Sequence, residues 1–347
     1  MDPRSRRSAT HAPWAHPGAN SGQRRVGPGV TALRHNRGMS QLIAPRSVPL
    51  GGYRSMTVRR TLPSKGRAFI GAWCFADHYG PERTAMDVAP HPHTGLQTVS
   101  WLFSGEIEHR DALGTVAKVR PGEVNLMTAG SGICHSEVST DPDALLHGVQ
   151  LWVALPESAR HRPRAFQNHA CERVDLDSGA AARVLTGTLP GVGSSPVTTW
   201  SPLLGAELDL PSHCAIRLDL EPEFEHGFLV DGGTVEVDHE PVGHGQLLHR
   251  DAGPSTVSLR TGDQPARVML LGGVPFEEEV IMWWNFLGRS HDEIEQFARE
   301  WNEGSERFGA VEGYRPHPGG TARIPAPAMP PGRLLPTVRR GRRSSVE

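Results

Sequence analysis

From Met56 onward, apolar and polar residues alternate in short runs broken by Gly, Pro and Asp, the period of strands in a sheet. Thr57–Leu62 alternates weakly, residues 69–75 form a continuous apolar run, and residues 96–103 alternate until Ser104 and Gly105 stop them. Val116–Val119 closes at Pro121-Gly122, and residues 124–127 lead through a glycine-bearing turn at 128–132 into 133–137. Residues 147–155 place Leu151 and Val153 on one face and Trp152 on the other. After a connector at 156–183, a second series of short runs occupies 184–187, 206–210, 214–220, 227–230, 234–237, 246–248, 255–260 and 266–271. Strands this short, at this spacing, predict sandwiches or barrels. The expected organisation is two similar β-domains in series, 39–180 and 181–313.

One stretch carries the helical period instead. Ser290 with Glu293 three residues later forms a capping box, and Ile294, Phe297, Ala298 and Trp301 follow as one apolar stripe that ends at Gly304. The stripe is expected to pack on a sheet. Residues 1–38 and 314–347 have neither period and are rich in Arg and Pro, so both read as disordered tails. Met39, at the edge of the first tail, is a candidate for the true start.

Charge sharpens this division. The formal net charge is −2, yet residues 1–38 hold seven Arg against one Asp and 314–347 seven Arg against one Glu, leaving 39–313 at −14. An acidic core argues against direct nucleic-acid binding by the folded part, which would need a basic patch to neutralise phosphates. Cys74, Cys134, Cys171 and Cys214 are widely spaced and form no C-x-x-C, which predicts reduced thiols rather than a disulfide framework. No apolar run reaches eighteen residues, and no apolar segment follows Arg6-Arg7 as an export signal would require. A soluble cytoplasmic protein without membrane association is expected.

The chemistry lies in two i,i+2 pairs. Side chains two apart on a strand share a face, so His91 and His93 project together, as do His135 and Glu137. Adjacent strands carrying the pairs would aim three imidazoles and one carboxylate at one point. Such a set with open positions suits iron(II), manganese, nickel or cobalt better than a closed structural zinc site. The competing reading is two unrelated pairs of surface or hydrogen-bonded histidines. In the second domain His226 stands alone, and His244 and His249 are not aligned on one strand face, so that domain is expected to hold no metal and to cover the mouth of the first site.

Residues 75–78, then His91-Pro92-His93-Thr94-Gly95-Leu96-Gln97-Thr98-Val99, Gly105-Glu106 and His109-Arg110-Asp111, together with 121–137 and 148–153, closely resemble the pirin family. The match is specific over 69–155 and looser over 184–313, where Trp284-Asn285-Phe286 and the capped helix are similar to the end of bacterial members. The resemblance implies an all-β bicupin, two cupin-type antiparallel β-barrels with a short C-terminal helix and basic tails. It implies one mononuclear metal, in the N-terminal barrel, on His91, His93, His135 and Glu137, the four that strand geometry gives. Iron(II) is the cofactor so implied, with Mn, Ni, Co, Cu and Zn as alternatives.

The activity implied is that of a quercetin 2,3-dioxygenase, with a small aromatic or enol substrate, O2, and Glu137 as the catalytic proton acceptor. Some family members act as regulatory partners of other proteins, so a metal- or redox-responsive module binding a protein partner is the alternative, and a zinc-dependent isomerase a third. Two positions depart from the pattern: Gln97 stands where many members have Glu, and Cys134 where an aliphatic residue is usual. Trp101 and Trp152 are candidates for stacking on the substrate.

Overall fold

The computed structural model describes residues 40–50, 56–141 and 143–337. Strand β1 (Ser40–Ile43) is followed by β2 (Arg46–Pro49), β3 (Thr57–Leu62), β4 (Trp73–Arg83), β5 (Asp87–His93), β6 (Leu96–Ser104), β7 (Ile107–Asp111) and β8 (Val116–Val119). The first barrel continues through β9 (Glu123–Thr128), β10 (Ile133–Ser139), β11 (Leu145–Ala154) and β12 (Ala165–Ala170). Two antiparallel sheets make this barrel, in the orders β12-β9-β6-β11-β4-β3-β2 and β5-β10-β7-β8.

The second barrel repeats the scheme. It uses β13 (Val174–Asp175) and β14 (Ala181–Thr186), then, after a small hairpin of β15 (Thr188–Leu189) and β16 (Gly193–Ser194), β17 (Leu203–Leu210), β18 (Ala215–Asp219) and β19 (Glu225–Gly232). It ends with β20 (Thr234–Val237), β21 (Glu240–Gly243), β22 (Leu247–Arg250), β23 (Thr256–Thr261) and β24 (Ala266–Gly273). Its sheets run β1-β22-β19-β24-β17-β14-β13 and β18-β23-β20-β21. Outer strands alternate as the sequence predicts: β18 buries Ile216 and Leu218 and exposes Ala215, Arg217 and Asp219. The first eight residues of β4 and the first seven of β6 are buried on both faces. One side of these strands faces the interior of their own barrel and the other faces the second barrel, as the bond from Trp101 Nε1 on β6 to Glu207 Oε2 on β17 shows (2.8 Å).

Both ends of the described chain cross between the two halves. β1, expected in the first domain, pairs instead with β22 of the second, Leu42 opposite Leu248, and so covers an edge that would otherwise be open. At the other end, β25 (Ile281–Trp283), β26 (Phe286–Gly288) and α1 (His291–Glu303) pack on the first barrel. Ser290 Oγ accepts from Glu293 N, while Glu293 Oε2 accepts from the N–H of Arg289, one residue earlier than in the reciprocal capping box. Ile294, Phe297, Ala298 and Trp301 are buried, against β25, β26 and the segment that follows.

That following segment corrects the expectation of a disordered tail. Residues 314–337 form no strand or helix, but they are anchored bond by bond. Tyr314 Oη donates to Asp87 Oδ1 (2.9 Å), Ile324 N to Pro90 O (2.9 Å), and Trp301 Nε1 to Ile324 O (2.8 Å). Asn302 exchanges two bonds with Ala326. Such anchoring leaves no periodic trace, because each backbone group finds a different partner. Residues 1–38 and 338–347 lie outside the described residues. No helix among the described residues is long and apolar enough to cross a membrane.

Candidate metal centre

Three neighbouring strands bring their i,i+2 pairs to one face. In the β5–β10 ladder His135 lies opposite His91 and Ile133 opposite His93; in the β10–β7 ladder His135 lies opposite Asp111 and Glu137 opposite His109. Donor atoms of His91, His93 and His135 all fall within 4.8 Å of one another. Glu137 falls in an adjoining group with His135 and His109, the register shifting between His135 and Glu137.

Each imidazole has its Nδ1 engaged. His91 Nδ1 donates to Ala89 O (2.9 Å) and His93 Nδ1 to Asn285 O (3.2 Å). Carbonyls can only accept, so in the neutral rings both Nε2 atoms carry lone pairs. His135 Nδ1 lies 3.3 Å from His109 Nδ1, and His109 Nε2 lies 3.1 Å from Asp111 Oδ2. The carboxylate fixes the proton of His109 on Nε2, leaving His109 Nδ1 to accept from His135. The third Nε2 is thereby also a lone pair.

This arrangement fits a divalent cation. His93 Nε2 and His135 Nε2 are 3.0 Å apart. Two ligands at about 2.1 Å from a cation and at right angles are separated by about that distance. Burial pushes these histidines toward the neutral form, His91 to about 4 and His93 and His135 well below the usual range, so no proton holds the facing lone pairs together. Burial also raises the Glu137 carboxyl above its ordinary value, against the pull of His109 and of the bond from Ser100 Oγ (3.2 Å).

The site opens into a cavity of about 440 Å³. Phe75 and Trp152, stacked at 4.0 Å between centroids, form one wall, and Trp152 and His93 make a T-shaped contact with centroids 5.1 Å apart. Met282, Trp284 and Asn285 of the β25–β26 hairpin line the cavity, as does Ile324. This hairpin docks through two bonds between Thr94 and Leu287: Leu287 N donates to Thr94 O (3.1 Å), and Thr94 Oγ1 donates to Leu287 O (3.3 Å). Gly95 allows the approach: at φ +67° a Cβ there would sit 2.5 Å from Leu287 O. Trp284, at the hairpin tip, takes φ 52°, a strained conformation for a bulky residue held over a candidate site.

The family description Pirin matches residues 55–153, and Pirin C-terminal cupin domain matches 205–309. A Pseudomonas aeruginosa protein named "Putative quercetin 2,3-dioxygenase" is 43% identical over 289 residues, covering 81% of this chain and 90% of that protein. The chain belongs to the pirin family. A pirin-like protein of Caulobacter vibrioides is 36% identical, over 71% of this chain and 88% of its own. The crystal structure of a quercetin 2,3-dioxygenase from Acinetobacter baumannii aligns with TM-score 0.79 at 36% identity, covering 85% of this chain and 97% of that one. The two barrels are cupin-like domains of a pirin.

Against this pirin site, several expectations change. Gln97 is fully buried and turned away, bonded to Thr128 Oγ1 (2.9 Å) and Thr198 O (3.1 Å), so its difference from Glu does not reach the imidazoles directly. Trp101 bonds Glu207 and is absent from the cavity wall; Trp152 is the tryptophan of the expected pair that lines it. The Cys134 thiol points to Gly309 O, and burial pushes it up to about 11, an inert thiol. The C-terminal hairpin and Ile324 supply the cover expected of the second barrel. His109-x-Asp111 joins the site as well, and its i,i+2 spacing is the same signal that marks the other two pairs. Arg60, Asp77 and Asn285 had no such mark.

Proposed function

We propose that this chain is a metal-dependent dioxygenase of the quercetin 2,3-dioxygenase type, acting on a flavonol or related enol. The observation that carries the reading is the convergence of three neutral imidazoles beside a buried carboxylate, in a cavity walled by aromatic rings. The names of the Pseudomonas and Acinetobacter relatives support it. His91, His93, His135 and Glu137 would hold the metal, iron(II) or another divalent ion.

When bound, the cation supplies Lewis acidity that lowers the proton affinity of the substrate's enol oxygen. Trp152 and Trp284 offer aromatic surface for the ring system, Phe75 backs Trp152, and Met282 and Ile324 exclude water. Glu137 takes the enol proton, a role favoured by the upward pressure of burial on its carboxyl. Ser100 accommodates either state. Its hydroxyl lies 3.2 Å from Glu137 Oε1 and 2.9 Å from Gln150 Oε1, so it can donate to the carboxylate, or accept from the acid while donating to Gln150. The overall reaction consumes one O2 per flavonol, opens the central ring and releases carbon monoxide.

Oxygen uptake and carbon monoxide release by protein loaded with each of Fe, Mn, Ni, Co, Cu and Zn, over a panel of flavonols, tests the reading. Turnover is expected with at least one metal, and Glu137→Gln at saturating metal should lower it by about 10²- to 10⁴-fold. Undiminished rates in that variant would remove Glu137 from the chemistry. No uptake under any condition would sink the oxygenase and favour a metal-responsive module that binds a protein partner.

A further inference from the structure

One cavity residue lies outside the metal chemistry. Arg60 on β3 pairs in register with Asp77 on β4, and its Nε and Nη2 donate to Asp77 Oδ1 (2.6 Å) and Oδ2 (2.7 Å). Asp77 is buried, whereas the Arg60 side chain keeps 21% of its surface. The guanidinium carbon lies 4.2 Å from the centroid of Phe75, the ring that stacks on Trp152, which in turn makes a T-shaped contact with His93. One wall of the cavity is therefore a continuous row: His93, Trp152, Phe75, Arg60. Among the described residues lining the cavity, Arg60 is the only Arg or Lys.

A bidentate pair holds a guanidinium in one plane and occupies one edge. The remaining edge, with Nη1, has no partner among the described residues, on a side chain that lines the cavity. A pair serving only to fix strand register needs neither a free donor edge nor a place in a ligand-sized cavity. Because Asp77 offsets the charge of Arg60, what the edge offers is directional N–H donors rather than a long-range field.

We propose that Arg60, held by Asp77, is a specificity-determining residue that binds an acidic oxygen, phenolate or carboxylate, on the substrate end remote from the imidazoles. The substrate class is thus a flat aromatic enol bearing oxygen at both ends. This rests on the oxygenase reading for the identity of the near end, but the binding it requires does not depend on turnover.

The test is ligand binding to metal-loaded protein, followed by quenching of tryptophan fluorescence. Two probes are compared: 3-hydroxyflavone, and its analogue with a carboxylate on the ring remote from the enol. Wild-type protein should bind the carboxylate analogue more tightly. In Arg60→Gln that ligand should weaken by about 10- to 100-fold while 3-hydroxyflavone changes by no more than about 3-fold. Arg60→Gln leaves Asp77 buried and unpaired, so the double variant Arg60→Gln/Asp77→Asn, without either charge, is measured in parallel and should show the same selective loss. Equal losses for both probes in the double variant, or no preference in the wild type, would overturn the assignment. Selective binding without oxygen uptake would leave Arg60 in place and remove only the oxygenase.

Discussion

Replacing Asp111 by Asn should weaken metal binding although residue 111 is no ligand. Asp111 Oδ1 accepts from Leu113 N (2.8 Å) and Thr115 N (3.2 Å), and Oδ2 faces His109 Nε2 (3.1 Å). In Asp111→Asn the amide oxygen keeps the two backbone bonds, so the amide nitrogen faces His109 and meets its Nε2–H donor to donor. Relief requires His109 to move its proton to Nδ1, where it confronts His135 Nδ1 at 3.3 Å. His135 must then accept there and carry its own proton on Nε2, the atom that faces the other imidazoles. The variant either loses a ligand or tolerates an unsatisfied buried donor, a penalty of about 1–3 kcal/mol. That range corresponds to a loss of about 5- to 150-fold in affinity, in line with the 10- to 100-fold typical when a group orienting a ligand histidine is changed. Competition against a chelator, with cobalt or nickel as probe, measures it, and thermal unfolding of the metal-free variant controls for misfolding. Unchanged affinity in a folded Asp111→Asn protein would refute the proton assignment and, with it, coordination through His135 Nε2.

Other consequences follow from the packing. Asp231 lies between the barrels, within reach of His78 and His147 (2.5 Å each) and Arg267 (3.3 Å); burial raises its pKa, but the histidine bonds outweigh this and hold it well below the usual carboxylate range. A depressed folded-state pKa contributes stability that is present above the unfolded value of about 4 and lost as pH falls below it. The urea midpoint should therefore drop below about pH 4, and Asp231→Asn, about 1–3 kcal/mol less stable at pH 7, should show a shallower drop; parallel pH profiles would count against the ion-pair account. Gly95→Ala should displace the β25–β26 hairpin, since its Cβ meets Leu287 O at 2.5 Å, and destabilise by about 1–3 kcal/mol while raising protease cleavage near residue 284. Wild-type resistance would show that the hairpin is held otherwise. Cys134, pushed up to about 11 by burial, should resist iodoacetamide at pH 8 in native protein and react on unfolding; rapid native labelling would contradict the described packing.

Much of the site was legible because strands translate spacing into geometry. His91-x-His93 and His135-x-Glu137 share faces by the period of two, and the β5–β10 pairing, formed across four intervening strands, sets His135 opposite His91. His109-x-Asp111 obeys the same rule, but a single i,i+2 pair in a chain with 18 histidines carries little weight until its register is known. Asn285 and Trp284 could not have been placed by spacing, since hairpin docking brings Asn285 to His93 from nearly two hundred positions away and Trp284 to the cavity. The strand exchange of β1 was hidden for a related reason: a four-residue segment gives no sign of which edge it will cover. Residues 314–337 misled because order there comes from individual bonds to Asp87, Pro90 and Trp301 rather than from any periodic burial.

X-ray absorption on metal-loaded protein, paired with anomalous diffraction at the metal edge, examines the centre itself. One cation per chain is expected, about 2.0–2.2 Å from Nε2 of His91, His93 and His135, with an oxygen ligand from Glu137 at a similar distance. A cation bound through Nδ1 atoms, one seated among His78, His147 and Asp231 instead, or none retained in the first barrel would contradict the account.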